Sequence, residues 1–243
     1  RTGTERVLSE AAAGEKGYPA ISPAGDVLAY GLRLAGAERA MRPVVLASLR
    51  DGASRTLGED CGGRPREWID ERRLIIERFA RLNSIAVIDT DTGDQREVLV
   101  SDQRSVRNPR LSPDRRWIAF DASSPGEPSE VAVAPFRGDL IPESAWTIVD
   151  RPASHPFWSA DGRLLYYTPA GTNPMIRSAI RARPSDAAAG LGEDDPITAY
   201  ASNEMVMPAY LAGTAPLATP DEIILVLGDF RGDIWLMELA TSC

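Results

Sequence analysis

Residues 108–122 read NPRLSPDRRWIAFDA: a proline, a Ser-Pro-Asp turn and an aromatic-rich hydrophobic strand within fifteen residues. Related stretches stand at 18–32 (YPAISPAGDVLAYGL) and 155–169 (HPFWSADGRLLYYTP), so the element is a repeat. Internal periodicity decides a fold before local propensity does. The leading prolines, Pro19, Pro65, Pro109 and Pro156, are separated by 46, 44 and 47 residues. The units align without a gap. Asp70, Asp114 and Asp161 share a column in which the first unit has Ala24. Leu28, Leu74, Ile118 and Leu165 form the next hydrophobic column, and Tyr30, Ile76, Phe120 and Tyr167 follow two places on. A divergent fifth unit starts near Pro208, with an insertion of roughly eight residues in its first turn.

Each unit has the same internal order. A short strand ends in a turn where Asp or Ser takes backbone N–H groups and Gly accepts positive φ. A strand rich in aromatic and branched residues follows, such as WIAF or LLYY. A third strand comes next: PVVLASL, SIAVIDT, EVAVAPF, IRSAI and DIWLMEL. A polar outer strand closes the unit, as in DGASRTL and TGDQREVL. Four antiparallel strands repeated in under about fifty residues are the pattern of a β-propeller blade. The sequence therefore predicts an all-β chain forming one β-propeller domain of five four-stranded blades. The expected blades span about 18–60, 64–103, 108–151, 155–202, and 207–243 together with 1–10. The N-terminal segment RTGTERVL matches the fourth strand DTGDQREVL, Gly3 against Gly93 and Val7 against Val98. Strand 1–10 is thus expected to complete the last blade and close the ring, which removes exposed sheet edges.

These repeats resemble those of TolB-type propellers, the WD40-like Asp-containing repeats abundant in bacteria. The resemblance rests on NPRLSPDRRWIAF and HPFWSADGRLLYY, and covers most of the chain. The ending GDIWLMEL is similar to the last strand of such propellers fused behind bacterial serine/threonine kinases or sensor proteins. The resemblance implies a propeller fold. It leaves the function open among protein binding, sensing and peptidase gating, because one scaffold hosts many sites.

Composition narrows the classes. The chain has 243 residues, 43% hydrophobic and 26% charged, with a net charge of −8. That charge disfavours nonspecific nucleic-acid binding and an anionic membrane surface. The basic residues are arginine apart from Lys16. Cys61 and Cys243 make neither a disulfide framework nor a zinc-binding pair. The longest aliphatic run, IILVLG at 223–228, is too short to cross a bilayer. The start at Arg1 without methionine reads as a processed protein or an excised domain. A periplasmic or extracytoplasmic location is favoured over a cytoplasmic one.

No catalytic residue is assigned. There is no G-x-S-x-G elbow, and His155 is the single histidine. His155 occupies the position before the unit's proline, as do Tyr18, Arg64, Asn108 and Met207. In a propeller such residues ring one mouth of the central channel, where binding side chains accumulate. The expected ligand-binding candidates are Tyr18, Arg64, Arg66, Asn108, Arg110, His155 and Trp158, with Trp68 as a second indole able to stack on a ligand. Glu67 is the one acid inside an innermost-strand pattern, and glycoside cleavage needs two. Asp89, Asp91 and Asp94 in DTDTGD have the alternating oxygens of a calcium loop. The segment also fits the turn between a blade's third and fourth strands, and the turn is the preferred reading. No cofactor is expected. The predicted function is a non-catalytic binding or sensory module for a protein, peptide or small ligand. The alternatives are a glycan hydrolase or lyase with channel carboxylates, and the regulatory propeller of a kinase or peptidase chain.

Overall fold

A computed structural model describes residues 14–34, 43–79 and 82–169. Beyond Pro169 it describes only the backbone of short strands, between 176 and 229. The expected closing strand 1–10 and the terminal DIWLMEL segment lie outside the described residues.

Three successive four-stranded antiparallel sheets contain the described strands between Gly14 and Asp150. The first contains β1 (Gly14–Ile21), β2 (Val27–Leu34), β3 (Pro43–Ser48) and β4 (Ser54–Gly62), in that spatial order. The second repeats the order with β5 (Arg64–Trp68), β6 (Arg73–Arg78), β7 (Ser84–Asp89) and β8 (Gln95–Leu99). The third does so with β9 (Ser105–Leu111), β10 (Trp117–Ser123), β11 (Glu130–Pro135) and β12 (Thr147–Asp150). A single 3-10 turn at Glu143–Ala145 precedes β12.

A fourth sheet opens with β13 (Ala153–Trp158) and β14 (Leu164–Pro169). A short strand β15 (Ile176–Arg177) leads to β16 (Ala179–Asp186), which pairs with β14, β17 (Gly190–Leu191) and β18 (Asp195–Ala199). The sheet's third strand is therefore β16. It runs on past the IRSAI segment expected as the third strand, through Arg183 and Pro184, because Leu164 pairs with Pro184 and Tyr167 with Arg181. In the fifth unit β19 (Met205–Pro208) pairs with β15 and β22 (Gly228–Asp229), while β20 (Leu217–Ala218) pairs with β21 (Ile223–Ile224).

The core lies between sheets. Side chains alternate across a strand, so a middle strand buried on both faces reads as a continuous apolar run. In β6, Leu74 and Ile76 pack with Ala29, Val44 and Trp68 against the first sheet. Ile75 turns the other way, toward Ile118 and Phe120 of the third. Ala119, Val131 and Val133 then meet Leu165 and Tyr167 of the fourth. All these side chains are under 10% exposed, and each contributes about 1.5–3 kcal/mol if large and fully buried. Stacked four-stranded sheets joined face to face are the propeller arrangement. The opposite face of the first sheet, Tyr30, Leu32, Val45 and Ala47, is buried as well.

The first turn of each unit is built as its residues dictate. Ser112 Oγ donates to Asp114 Oδ1 at 2.6 Å and accepts from Trp117 N–H at 3.0 Å. Ser159 and Asp161 repeat this, at 2.7 Å to the carboxylate and 2.9 Å from Leu164 N–H. Gly25, Gly162 and the non-glycine Arg115 take the left-handed position, with φ of 72°, 72° and 59°. The first unit, lacking the aspartate, uses Asp26, which accepts from Ser22 Oγ at 3.0 Å.

Register corrects the gap-free alignment in the second unit. Its turn bonds Ile69 N–H to Arg73 C=O, one residue tighter than Ser22 to Val27, Ser112 to Trp117 and Ser159 to Leu164. The innermost strand β5 is consequently offset by one. Trp68, and not Glu67, is opposite the hydrophobic column, matching Ile21, Leu111 and Trp158. The position shared by Tyr18, Asn108 and His155 is then filled by Pro65, with Arg64 one place earlier.

Candidate functional site

On β1, β9 and β13 the ladder skips at that shared position, between Gly17 and Ala20, Arg107 and Arg110, and Ser154 and Phe157; on β5 it skips one residue later, between Pro65 and Glu67. Tyr18, Asn108 and His155 sit there with φ of 59°, 52° and 57°. Left-handed backbone is costly for a residue with a Cβ and persists where its surroundings hold it. At Asn108 and His155 a carboxylate from the preceding sheet does so. Asn108 N–H donates to Glu77 Oε2 at 3.2 Å, and His155 N–H donates to Asp121 Oδ1 at 2.8 Å. Glu77 and Asp121 are 0% and 2% exposed. Both follow the aromatic column on the second strand, where the first unit has Gly31. The sequence reading missed this column. The signal was a charge directly after a buried run, in LIIE and IAFD, since a buried charge demands partners.

The partners are present. Arg64 Nη1 donates to Glu77 Oε1 at 3.1 Å, and Arg66 Nε donates to Oε2 at 3.0 Å. Arg64 also lies over the rings of Tyr18 and Phe79, at 4.5 and 4.2 Å. Asn108 Nδ2 donates to Asp121 Oδ2 at 2.7 Å, and His155 Nδ1 stands 4.0 Å from the same oxygen. Of the sequence candidates, Tyr18, Arg64, Asn108 and His155 are thus built into the contacts that join sheets.

The other candidates lie further along the same strands. Arg66, Glu67, Trp68, Arg110 and Trp158 line a cavity of about 700 Å³, walled also by Pro19, Pro23, Pro113 and Phe157. The indoles are fixed from behind. Trp68 Nε1–H donates to Ala20 C=O at 3.1 Å, and Trp158 Nε1–H to Arg110 C=O at 3.0 Å. Each tryptophan therefore ties its own sheet to the one before it. Glu67 Oε2 accepts from Leu111 N–H at 3.0 Å, a tie in the reverse direction. Burial pushes the Glu67 carboxyl above its ordinary value, while Arg110, the Leu111 N–H and Arg115 pull it back. Burial likewise lowers Arg110, with Glu67 opposing and Arg66 adding to the effect. Among the described residues the Arg110 guanidinium has neither a hydrogen bond nor an ion pair; Arg66 is committed to Glu77.

At the aspartate-rich segment, Asp89 Oδ1 accepts from Asp91 N–H and Thr92 N–H at 2.9 and 3.1 Å. Thr92 Oγ1 donates to Asp94, and Arg72 bridges Asp89 and Asp91 at 3.1 and 3.0 Å. The three aspartates thus shape the turn between β7 and β8. The hydrogen bond from Thr92 N–H comes first among the causes that draw Asp89 below the usual carboxylate range.

No protein-family model matches the sequence, and no curated protein matches it. Solved structures do. A putative TolB from Agrobacterium tumefaciens superposes with a TM-score of 0.65 at 15% identity, over 92% of this chain and 73% of that one. An oligogalacturonate lyase from Vibrio parahaemolyticus gives 0.58 at 13% identity, over 83% of this chain and 59% of the other. The β-propeller domain of the trilobed protease from Pyrococcus furiosus, described as having an open velcro topology, gives 0.53 at 15% identity, over 79% and 62%. The chain thus spans less than two thirds of the last two. At these identities the likeness establishes a TolB-like β-propeller fold. No helix among the described residues is long and apolar enough to cross a membrane.

Proposed function

We propose that the chain is a five-bladed propeller acting as a non-catalytic binding or sensory module, which holds a protein, peptide or small ligand at the mouth of its central channel. The observation that carries this reading is the cavity of about 700 Å³ at the ends of the innermost strands. It combines apolar walls with a few convergent polar groups, the usual composition of a ligand site. The buried outer face of the first sheet and the left-handed Tyr18 favour a ring, since both repeat features that elsewhere face a preceding blade. The carboxylates of Glu77 and Asp121 argue against glycan cleavage. Each is buried and held by two or more donors, whereas an acid–base pair must face a shared cleft.

The test is a thermal-shift screen of the full chain against peptides, amino acids and oligogalacturonates, repeated on Ala160→Trp. Ala160 is an exposed rim residue, so the indole would cover the mouth without entering the core. A ligand that raises the melting temperature of the parent and not of Ala160→Trp supports the reading. Shifts identical in both proteins, or cleavage of oligogalacturonate, would refute it.

A further inference from the structure

We infer that the channel-mouth cavity selects a carboxylate carried on an apolar body, with Arg110 as the group that binds it. The inference rests on the mouth being the binding site and adds the chemistry it reads. Among the described residues Arg66 and Arg110 are the two guanidinium groups in the cavity wall, and they are not equivalent. Arg66 is held by Glu77 on two of its nitrogens. Arg110 donates to no group among the described residues, although it is partly buried. A partly buried guanidinium with its planar fork unfilled is suited to a bidentate carboxylate.

The surrounding charge agrees. Glu77 is shared by Arg64 and Arg66, and Glu67 faces both Arg110 and Arg115, so positive charge exceeds negative among these groups. Glu67 does not occupy Arg110 itself; its Oε2 is taken by Leu111 N–H. The rest of the wall, among the described residues, is apolar apart from Ser159, whose hydroxyl is taken by Asp161 and the Leu164 N–H. Pro19, Pro113, Phe157 and the faces of Trp68 and Trp158 would receive a ring or aliphatic chain. Two sources carry such a group: a free small acid, or the carboxyl terminus of a peptide ending in an apolar residue.

Calorimetric titration of the full chain with four probes separates these. They are 3-phenylpropionate and N-acetylphenylalanine, each against its primary amide. Each acid is expected to bind at least about tenfold more tightly than its amide, the ratio that one charge-assisted pair supplies. Arg110→Gln should reduce that ratio to about twofold or less, and Arg110→Lys should retain part of it. Tighter binding of N-acetylphenylalanine than of 3-phenylpropionate identifies the peptide terminus as the source, and the reverse identifies the free acid. Either result supports the assignment. Equal binding of acids and amides, no binding of either acid, or a preference that survives in a folded Arg110→Gln would overturn it. Should Arg110→Gln fail to fold, the Arg110 Nε–H resonance of the unsubstituted chain decides, since it must shift with the acids and not with the amides. Failure here is distinguishable from failure of the binding reading, because other ligands blocked by Ala160→Trp would still bind at the mouth.

Discussion

The junction between the first and second sheets differs from the two that follow it in how its buried polar groups are matched. At the later junctions a left-handed residue, Asn108 or His155, aims its N–H at a buried carboxylate on the preceding sheet, Glu77 or Asp121. At the first junction Pro65 takes that position and has no N–H to satisfy. The preceding sheet correspondingly offers Gly31, where a Cβ would stand 3.2 Å from Gly63 C=O and 3.7 Å from Pro65 Cδ. Donor and acceptor are both present or both missing. The first junction shares the tryptophan tie, Trp68 to Ala20, with the third, where Trp158 bonds Arg110, and is joined in addition by Arg64 and Arg66 over the Tyr18 ring. A propeller of this kind tolerates either solution, provided the two sides of a junction match.

Breaking the match at Glu77 should have the largest effect. Glu77→Ala leaves Arg64, Arg66 and the Asn108 N–H without their acceptor, and removal of one partner of a buried ion pair costs about 3–5 kcal/mol. Urea unfolding measures it, and a loss below about 1 kcal/mol would mean that water replaces the carboxylate. Asp121→Ala removes the acceptor of the His155 N–H and the Asn108 amide at the next junction, two hydrogen bonds against the two arginines and one N–H held by Glu77. The expected loss is smaller, about 1–3 kcal/mol. Pro65→Ala tests the first junction by supplying an N–H opposite Gly31, which has no side chain to accept it. A cost of about 1–3 kcal/mol is expected if the N–H is left unpaired. A neutral result would show that the carboxylates are unnecessary wherever the bulge occurs.

The smallest effect has the opposite sign. Burial raises the Glu67 carboxyl, so the folded chain holds that proton to higher pH than the unfolded chain does. Its contribution to stability therefore falls as pH rises from the ordinary value of 4.5 through the raised one. Glu67→Gln, still able to accept from Leu111 N–H, should be neutral to slightly stabilising at pH 7 and should remove that slope from a plot of stability against pH. The turn aspartates run the other way. The Ser112 hydroxyl lowers Asp114 and the Ser159 hydroxyl lowers Asp161, so their contribution is complete above the ordinary value of 3.8 and is lost as pH falls below it.

Much of the architecture was legible because it is local. The proline spacing, the Ser-Asp turns and the apolar second strands repeat in the sequence, and the structure forms them where the columns place them. The one-residue offset of β5 was not legible. WIDER keeps the aspartate of the turn column, Asp70, which accepts from the Arg72 and Arg73 N–H groups, so it does not betray the shorter loop, and the prolines align the unit in a register that its hydrogen bonds do not adopt. The pairing of Glu77 with Asn108 spans 31 residues between different sheets, so no pattern within one unit reveals it. The cavity was legible in part. Arg66, Arg110 and Trp158 were selected from strand position, whereas Trp68 shares the Trp158 register only once the offset is known.

A ligand held at the mouth is reported directly by the indole N–H resonances of the intact chain. Trp68 and Trp158 line the cavity, while Trp117 and Trp146 pack elsewhere, Trp146 edge-on against Phe120 at 4.9 Å. Titration with N-acetylphenylalanine is predicted to shift the Trp68 and Trp158 resonances and to leave those of Trp117 and Trp146 in place. A saturable shift at Trp117 or Trp146, with Trp68 and Trp158 unmoved, would contradict it.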